Sequence, residues 1–344
     1  MSHTTSSRTT TMRAIIQDRY GAPEDVFRLQ EVARPVPGDG EVLVRVHAVP
    51  VTGSDWHLFR GLPYAARPIT GMRRPKNRVP GLELAGTVEA VGKEVRGLRP
   101  GDEVFGWYGG TLAEYVAVPQ DQLAPKPANL TLVEAAAGPI AAFTALQALR
   151  DRARIRPGQK VLISGASGGV GIYAVQLAKA YGAEVTGVCS TAKTDLVRSI
   201  GADHVIDYTR EDFTDGRVRY DVFVDVYGNP SLPACRRALK PGGILVFVGG
   251  TGGRWFMGTD RWLRGLLAAP FLRLKARVLV HKDSREDLMI LKDLIEAGKV
   301  TPVVDRTYPL TEVAEAVQYV REGRSRGQIV IAVGDPAPGD RPLS

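Results

Sequence analysis

The sequence predicts an α/β chain in two parts, a compact β-rich unit and a doubly wound parallel sheet. Three observations carry this. Residues 12–128 hold closely spaced runs of β-formers punctuated by Gly and Pro. From residue 129 onward, apolar strands alternate with helical stretches. Within the second stretch, VLISGASGGVG leads from a strand through a glycine turn into a helix, the opening move of a parallel sheet. A length of 344 residues suits two domains.

The elements follow in order. MRAIIQ, EVLVRVHAVPV, LAGTVEAVG and AEYVAVP read as short strands, and VRGLRPGDEVFG as a turn feeding another. Strands spaced this closely suggest a barrel-like β domain. NLTLVEAAAGPIAAFTALQALRD is Ala-rich and helical, with Asn129 or Thr131 as its N-cap. KVLISGASGGVGIYAVQLAKAYGAEVTGVCS is a strand, a turn, a helix and a second strand. VIDY, YDVFVDVYG and GGILVFVGG continue as unbroken apolar runs, as strands buried on both faces do. KARVLVH, residues 275–281, is expected as the last strand of that sheet. SREDLMILKDLIEAGKV and TEVAEAVQYVREG are amphipathic helices, and GQIVIAV is a closing strand. The tail GDPAPGDRPLS is expected to fray, and MSHTTSSRTTTM is a polar lead-in.

Composition narrows the function classes. Apolar residues make up 44% and charged residues 24%, as in an ordinary soluble globular protein. No apolar run reaches membrane-spanning length, and the first residues lack the apolar stretch of a secretory signal, so a cytoplasmic location is expected. The net charge of +8 is spread along the chain without a recognition motif. No nucleic-acid partner is therefore expected; with no spanning run no membrane partner is expected either, and a small-molecule substrate remains. Cys189 and Cys235 have no further Cys or His at metal-ligand spacing and read as small buried hydrophobes.

The strongest motif is Ala166-Ser167-Gly168-Gly169-Val170-Gly171. Gly168 lets backbone approach a pyrophosphate, Gly171 lets helix and strand pack closely, and the free amides of the helix start hold the anion. Ala166 stands where the usual fingerprint has its first glycine. An NAD site normally ends its second strand in Asp or Glu. Here EVTGVCS ends at Ser190, with Thr191 and Lys193 after it. Hydroxyls and an ammonium suit a 2′-phosphate, so NADPH is the expected cofactor.

GSDWHLFRG, VPGLELAGTVEAVGKEV, GDEVFG, AEYVAVP, VLISGASGGVG, AKAYGAEVTGVCST, GADHVIDY and RGQIVI stand in this order along the chain. In that order they resemble the medium-chain dehydrogenase/reductase superfamily, most of all its zinc-free quinone oxidoreductase-like branch. The resemblance implies a GroES-like substrate domain from residues 1–128 and 282–344, interrupted by a Rossmann dinucleotide-binding domain at 129–281. It implies that Tyr208 joins Lys193 at the 2′-phosphate. It also implies that the zinc ligands of other branches are lost, because Thr52, Leu82 and the Cys- and His-free AAAGPIAAFTAL stand at their places. No metal is expected. Ser54 and His57 match proton-relay positions; both are candidate catalytic residues, with Tyr64 as a third. Asp55 reads as a cap of the helix that WHLFRG starts.

Without a Lewis acid a conjugated acceptor is the easier substrate, because its charge spreads onto an oxygen that hydrogen bonds stabilise. A quinone or an α,β-unsaturated carbonyl is therefore expected, bulky and apolar. Two alternatives stay open: a metal-free alcohol/carbonyl dehydrogenase, and an NADPH-binding scaffold or redox sensor. Val248-Gly249-Gly250 follow an apolar strand at the sheet's carboxyl edge, where the nicotinamide amide would lie. TGGRWFMGTDRWLRGLLAAPFLRLKAR reads as a helical lid, with Trp255, Phe256 and Trp262, and also Trp56, as pocket walls. A basic amphipathic helix on a membrane surface is the competing reading of that stretch. YAARPITGMRRPKNRVPG is a long basic loop at the pocket mouth. A homodimer, paired edge to edge through KARVLVH, is implied by the family.

Overall fold

A computed structural model of the chain describes residues 10–228, 230–250 and 253–334. Residues 1–9 of the polar lead-in and 335–344 of the tail lie outside the described residues.

The β-rich half opens with a two-stranded antiparallel ribbon, β1 (Thr11–Gln17) with β2 (Phe27–Ala33). A seven-stranded sheet follows. Five of its strands come early: β3 (Glu41–Val51), β4 (Glu83–Val91), β5 (Glu103–Trp107), β6 (Tyr115–Pro119) and β7 (Leu123–Pro125). The nucleotide half then supplies β8 (Lys160–Ser164), β9 (Glu184–Cys189), β10 (His204–Asp207), β11 (Tyr220–Asp225), β12 (Leu239–Phe247) and β13 (Lys275–Val278). Finally β14 (Val304–Pro309) and β15 (Gln328–Ala332) return to the first sheet, whose order is β14-β15-β3-β4-β5-β7, with β6 paired to β3. The strand read from EVLVRVHAVPV appears as β3, which pairs with β4, β6 and β15.

The second sheet is wholly parallel, in the order β10-β9-β8-β11-β12-β13. Counted within the sheet this is 3-2-1-4-5-6, the doubly wound order of the Rossmann fold. Val161, Leu162 and Ile163 of β8 and Val222, Phe223 and Val224 of β11 are fully buried, which is why these strands read as continuous apolar runs. The strand order reverses between β8 and β11. A crevice opens there at the carboxyl ends, the place such sheets bind ligand.

Three local readings change. The Ala-rich stretch is not one helix. Thr131 caps a single turn with Glu134 in a reciprocal capping box, while Asn129 bonds the Ile295 carbonyl instead. Gly138 then breaks the helix at φ +86°, and α-helix resumes only at Pro139–Gln147. KARVLVH is strand only over its first four residues, Lys275–Val278. Trp56 lies on α1 (Gly53–Phe59) and is 8% exposed. It packs into the core of the seven-stranded sheet, with the Arg60 and Arg321 guanidiniums over its ring at 5.1 and 4.6 Å. That packing gives Trp56 a core place rather than a pocket wall.

Candidate functional site

The phosphate loop lies between β8 and the helix α2 (Gly169–Ala180). A Cβ on Gly171 would lie 2.1 Å from the Gly165 carbonyl oxygen, so only glycine allows this helix to start against its strand. Ala166 is fully buried against Gly187 of β9, which explains a methyl at the place of the first fingerprint glycine. Gly168 is exposed, and no atom lies nearer than 3.3 Å to a Cβ built there. Ser167, Gly169 and Val170 are partly exposed around it. The first amides of α2 have no acceptor within the helix, so the loop fits the pyrophosphate of a dinucleotide. The Gln328 side chain, from the returning strand β15, donates to the Gly169 carbonyl at 3.4 Å and ties this loop to the first sheet.

At the end of β9, Ser190 is half-buried and Lys193 closes the short helical turn Thr191–Lys193. Burial draws the Lys193 ammonium below its ordinary pKa, with the nearby Asp305 carboxylate opposing. Tyr208 is exposed, and its amide donates to the Cys189 carbonyl at 3.1 Å, which places both residues at the β9 terminus. Thr191 differs from expectation. Its hydroxyl donates to Asp207 at the end of β10, whose other oxygen accepts from the amide and hydroxyl of Thr209.

The switch point is filled by a polar network. The Ser164 hydroxyl at the end of β8 donates to Asp225 on the adjacent β11 at 2.9 Å, and the Arg261 guanidinium pairs with the other Asp225 oxygen. Arg261 lies on α3 (Asp260–Ala268), the helix expected as a lid. Trp262, beside it, donates its indole N–H to the Gly249 carbonyl at 3.1 Å. Trp262 thus braces the Val248-Gly249-Gly250 strand end, where the amides of Val248 and Gly249 both reach the Asp225 carbonyl. Neither the Arg261 nor the Ser164 role was read from the sequence. Polar residues closing the apolar runs VLIS and VFVD were the available signal.

The lid is joined to the basic loop. The amides of Tyr64 and Ala65 donate to the carbonyls of Arg254 and Trp255 at 2.9 and 3.2 Å. The Tyr64 and Trp255 rings meet edge to face at 5.5 Å, and the Arg67 guanidinium sits over Tyr64. Phe256, next in line, is exposed. Tyr64 and Trp255 are therefore brought together, while Ser54 and His57 lie on α1. Three residues apart, these two share a helix face, while Asp55, Trp56 and Phe59 are buried on the other. Burial lowers the His57 pKa, and the Arg60 charge adds to this.

Two buried carboxylates stand beneath. Asp55 accepts from the Thr52 amide and hydroxyl at 2.7 and 2.8 Å; it is the third residue of α1 in a capping box with Thr52, which takes the cap position expected of Asp55. Burial still raises its pKa to about 6. Glu83 accepts from the Ile140 amide at 2.6 Å, and burial pushes it to about 8, with Asp55 and Asp283 adding charge repulsion. Burial and the Glu83 charge also raise the Tyr173 phenol, which donates to the Ala137 carbonyl. Thr52, Leu82 and the 135–146 segment offer zinc no thiolate or imidazole, and the Thr52 hydroxyl is engaged with Asp55. Among the described residues, no group of three or more His, Cys, Asp or Glu side chains is placed to hold a metal ion.

Comparison with known proteins agrees with this geometry. Residues 38–128 match the family model described as alcohol dehydrogenase GroES-like domain, and residues 200–331 the one described as zinc-binding dehydrogenase. The chain is 33% identical to the mitochondrial NAD(P)H oxidoreductase RTN4IP1 of Mus musculus, over 96% of this chain and 91% of that protein. It is 34% identical to the chloroplastic NADPH-dependent alkenal/one oxidoreductase of Arabidopsis thaliana, over 93% and 79%. The solved quinone oxidoreductase from Coxiella burnetii superposes with a TM-score of 0.83 at 28% identity, covering 94% of this chain and all of that one.

Proposed function

The chain belongs to the medium-chain dehydrogenase/reductase superfamily, on its quinone oxidoreductase-like side, and from that membership we propose an NADPH-dependent, zinc-independent reductase of quinones or α,β-unsaturated carbonyl compounds. The observation that carries the reading is the donor set below Ser54. Thr52 is bonded to Asp55, Glu83 to a backbone amide, and Leu82 is apolar. Nothing there matches the three ligands a catalytic zinc needs. An acceptor whose charge spreads by conjugation suits such a site.

The nicotinamide, when bound, supplies the hydride. The chain's residues do the rest. The loop at 166–171 holds the pyrophosphate, and Lys193 and Tyr208 meet the 2′-phosphate. Ser54 and His57 donate hydrogen bonds to the acceptor oxygen as negative charge gathers on it. His57 is held neutral by its lowered pKa and still carries a ring N–H. Tyr64, Trp255 and Phe256 form the apolar roof that keeps water from the reacting atoms. Titrating the protein with NADPH and NADH by nucleotide fluorescence, then adding quinones and enones, tests this. Tighter NADPH binding, oxidation only with a conjugated acceptor and indifference to chelator are expected. Equal binding of the two nucleotides would refute the roles of Lys193 and Tyr208. Loss of turnover on adding chelator would refute zinc independence.

A further inference from the structure

We propose that the face made by the basic loop at 64–81 and the α3 segment at 253–274 docks on an anionic lipid bilayer, where an apolar substrate would be drawn from the membrane. The purpose rests on the proposed reductase activity; the docking does not.

The first observation is the inverted packing of α3. A helix on a globular domain turns its apolar stripe inward. This one buries Arg261 against Asp225 and sets Gly265 against the Phe247 ring, where a Cβ would lie 2.5 Å from the ring edge. It points Leu263, 62% exposed, Leu266 and Leu267, 65% exposed, to solvent, and Phe271 follows at 88%. The loop joined to this segment through Tyr64 and Ala65 exposes Ile69 and Met72 as well. Large apolar groups gathered in two contiguous segments mark an interaction surface.

The second observation is charge. Residues 64–81 and 253–274 together hold nine Lys and Arg and a single acid, Asp260, while the rest of the chain holds 36 basic and 36 acidic residues. The entire positive excess of the protein lies in these two segments. Arg73, Arg74, Lys76, Arg254 and Arg273 are exposed, and among the described residues none of them has an ion-pair partner. This distribution selects the occupant. A second copy would bring the same cations against these. A neutral apolar partner would leave the cations unmet. A bilayer with anionic headgroups takes the leucines into its interfacial region and pairs the surrounding charge. The expectation of no membrane partner rests on the absence of a spanning run and on reading this stretch as a lid; the exposed leucines and cations favour the competing reading of the same stretch.

The test is flotation of the full-length protein with phosphatidylcholine vesicles, alone or with about one third phosphatidylglycerol. Binding to the mixed vesicles only, weakened by salt, is expected. Arg73→Gln/Arg74→Gln/Lys76→Gln, on an exposed loop, is expected to lower the partition coefficient on the order of a hundredfold. Leu263→Gln/Leu266→Gln/Leu267→Gln is expected to abolish binding. Both variants should keep wild-type NADPH oxidation with a water-soluble quinone, measured without lipid, which separates failure of docking from failure of the catalytic reading. No flotation with mixed vesicles at low salt would overturn the proposal. Equal binding to both vesicle types would also overturn it. So would a dimer in sedimentation equilibrium that the leucine variant splits without any lipid binding.

Discussion

Glu83→Gln tests the electrostatics beneath the site. Glu83 ordinarily titrates near 4.5 and is pushed by burial to about 8 in the folded protein. Between those values the folded chain holds a proton that the unfolded chain has released. The folded state binds more protons, so stability falls as pH rises through this window. Each unit costs about 1.4 kcal/mol, so the loss approaches 5 kcal/mol in full and is about 3 kcal/mol by neutral pH. A glutamine keeps an acceptor for the Ile140 amide and cannot ionise. The variant should therefore be more stable than wild type, and the gap should widen from acid to mildly alkaline pH and then level off. Urea unfolding of both proteins at a series of pH values measures it. Asp55, raised to about 6, titrates in both and cancels in the difference. A gap that stays constant with pH, or shrinks as pH rises, would refute the reasoning.

Three other outcomes are expected. Lys193→Ala should raise the Kd for NADPH roughly tenfold to a hundredfold while leaving NADH unchanged, read by nucleotide fluorescence. Arg261→Met leaves the buried Asp225 carboxylate unpaired and should cost about 3 kcal/mol in urea unfolding, with Asp225→Asn added to it recovering part of the loss. Thr131→Ala removes the acceptor for the Glu134 amide and should lower stability by about 1 kcal/mol without changing cofactor affinity.

Local pattern made much of this protein legible. EVLVRVHAVPV, the glycine loop and the apolar runs VLIS and VFVD carry their conformations in residue type and spacing, and each appears where expected. What escaped depends on partners distant in sequence. Arg261 looked like one more surface cation of a lid, yet its partner lies 36 residues earlier at the end of a strand. Trp56 looked like a pocket wall because it sits among site residues, but the helix turns it toward Arg321, from the far end of the chain. Thr191 has its hydroxyl drawn away by Asp207 on the neighbouring strand. Glu83 did leave a signal, an acid inside an apolar strand, though not the helix amide it meets.

The placement of β15 bears on how the chain is made. This strand, with Ile329, Val330 and Ile331 buried, lies between β14 and β3, nearly three hundred residues from the partner it meets. On a ribosome, the parallel sheet has all six strands once residue 278 has emerged, whereas the Ala48–Val51 end of β3, beyond the part that β6 pairs, waits for β15 along one edge. The half that carries Ser54 and His57 is thus the last to close. A slow or interrupted synthesis leaves exposed the strand edge most able to pair with a neighbouring chain.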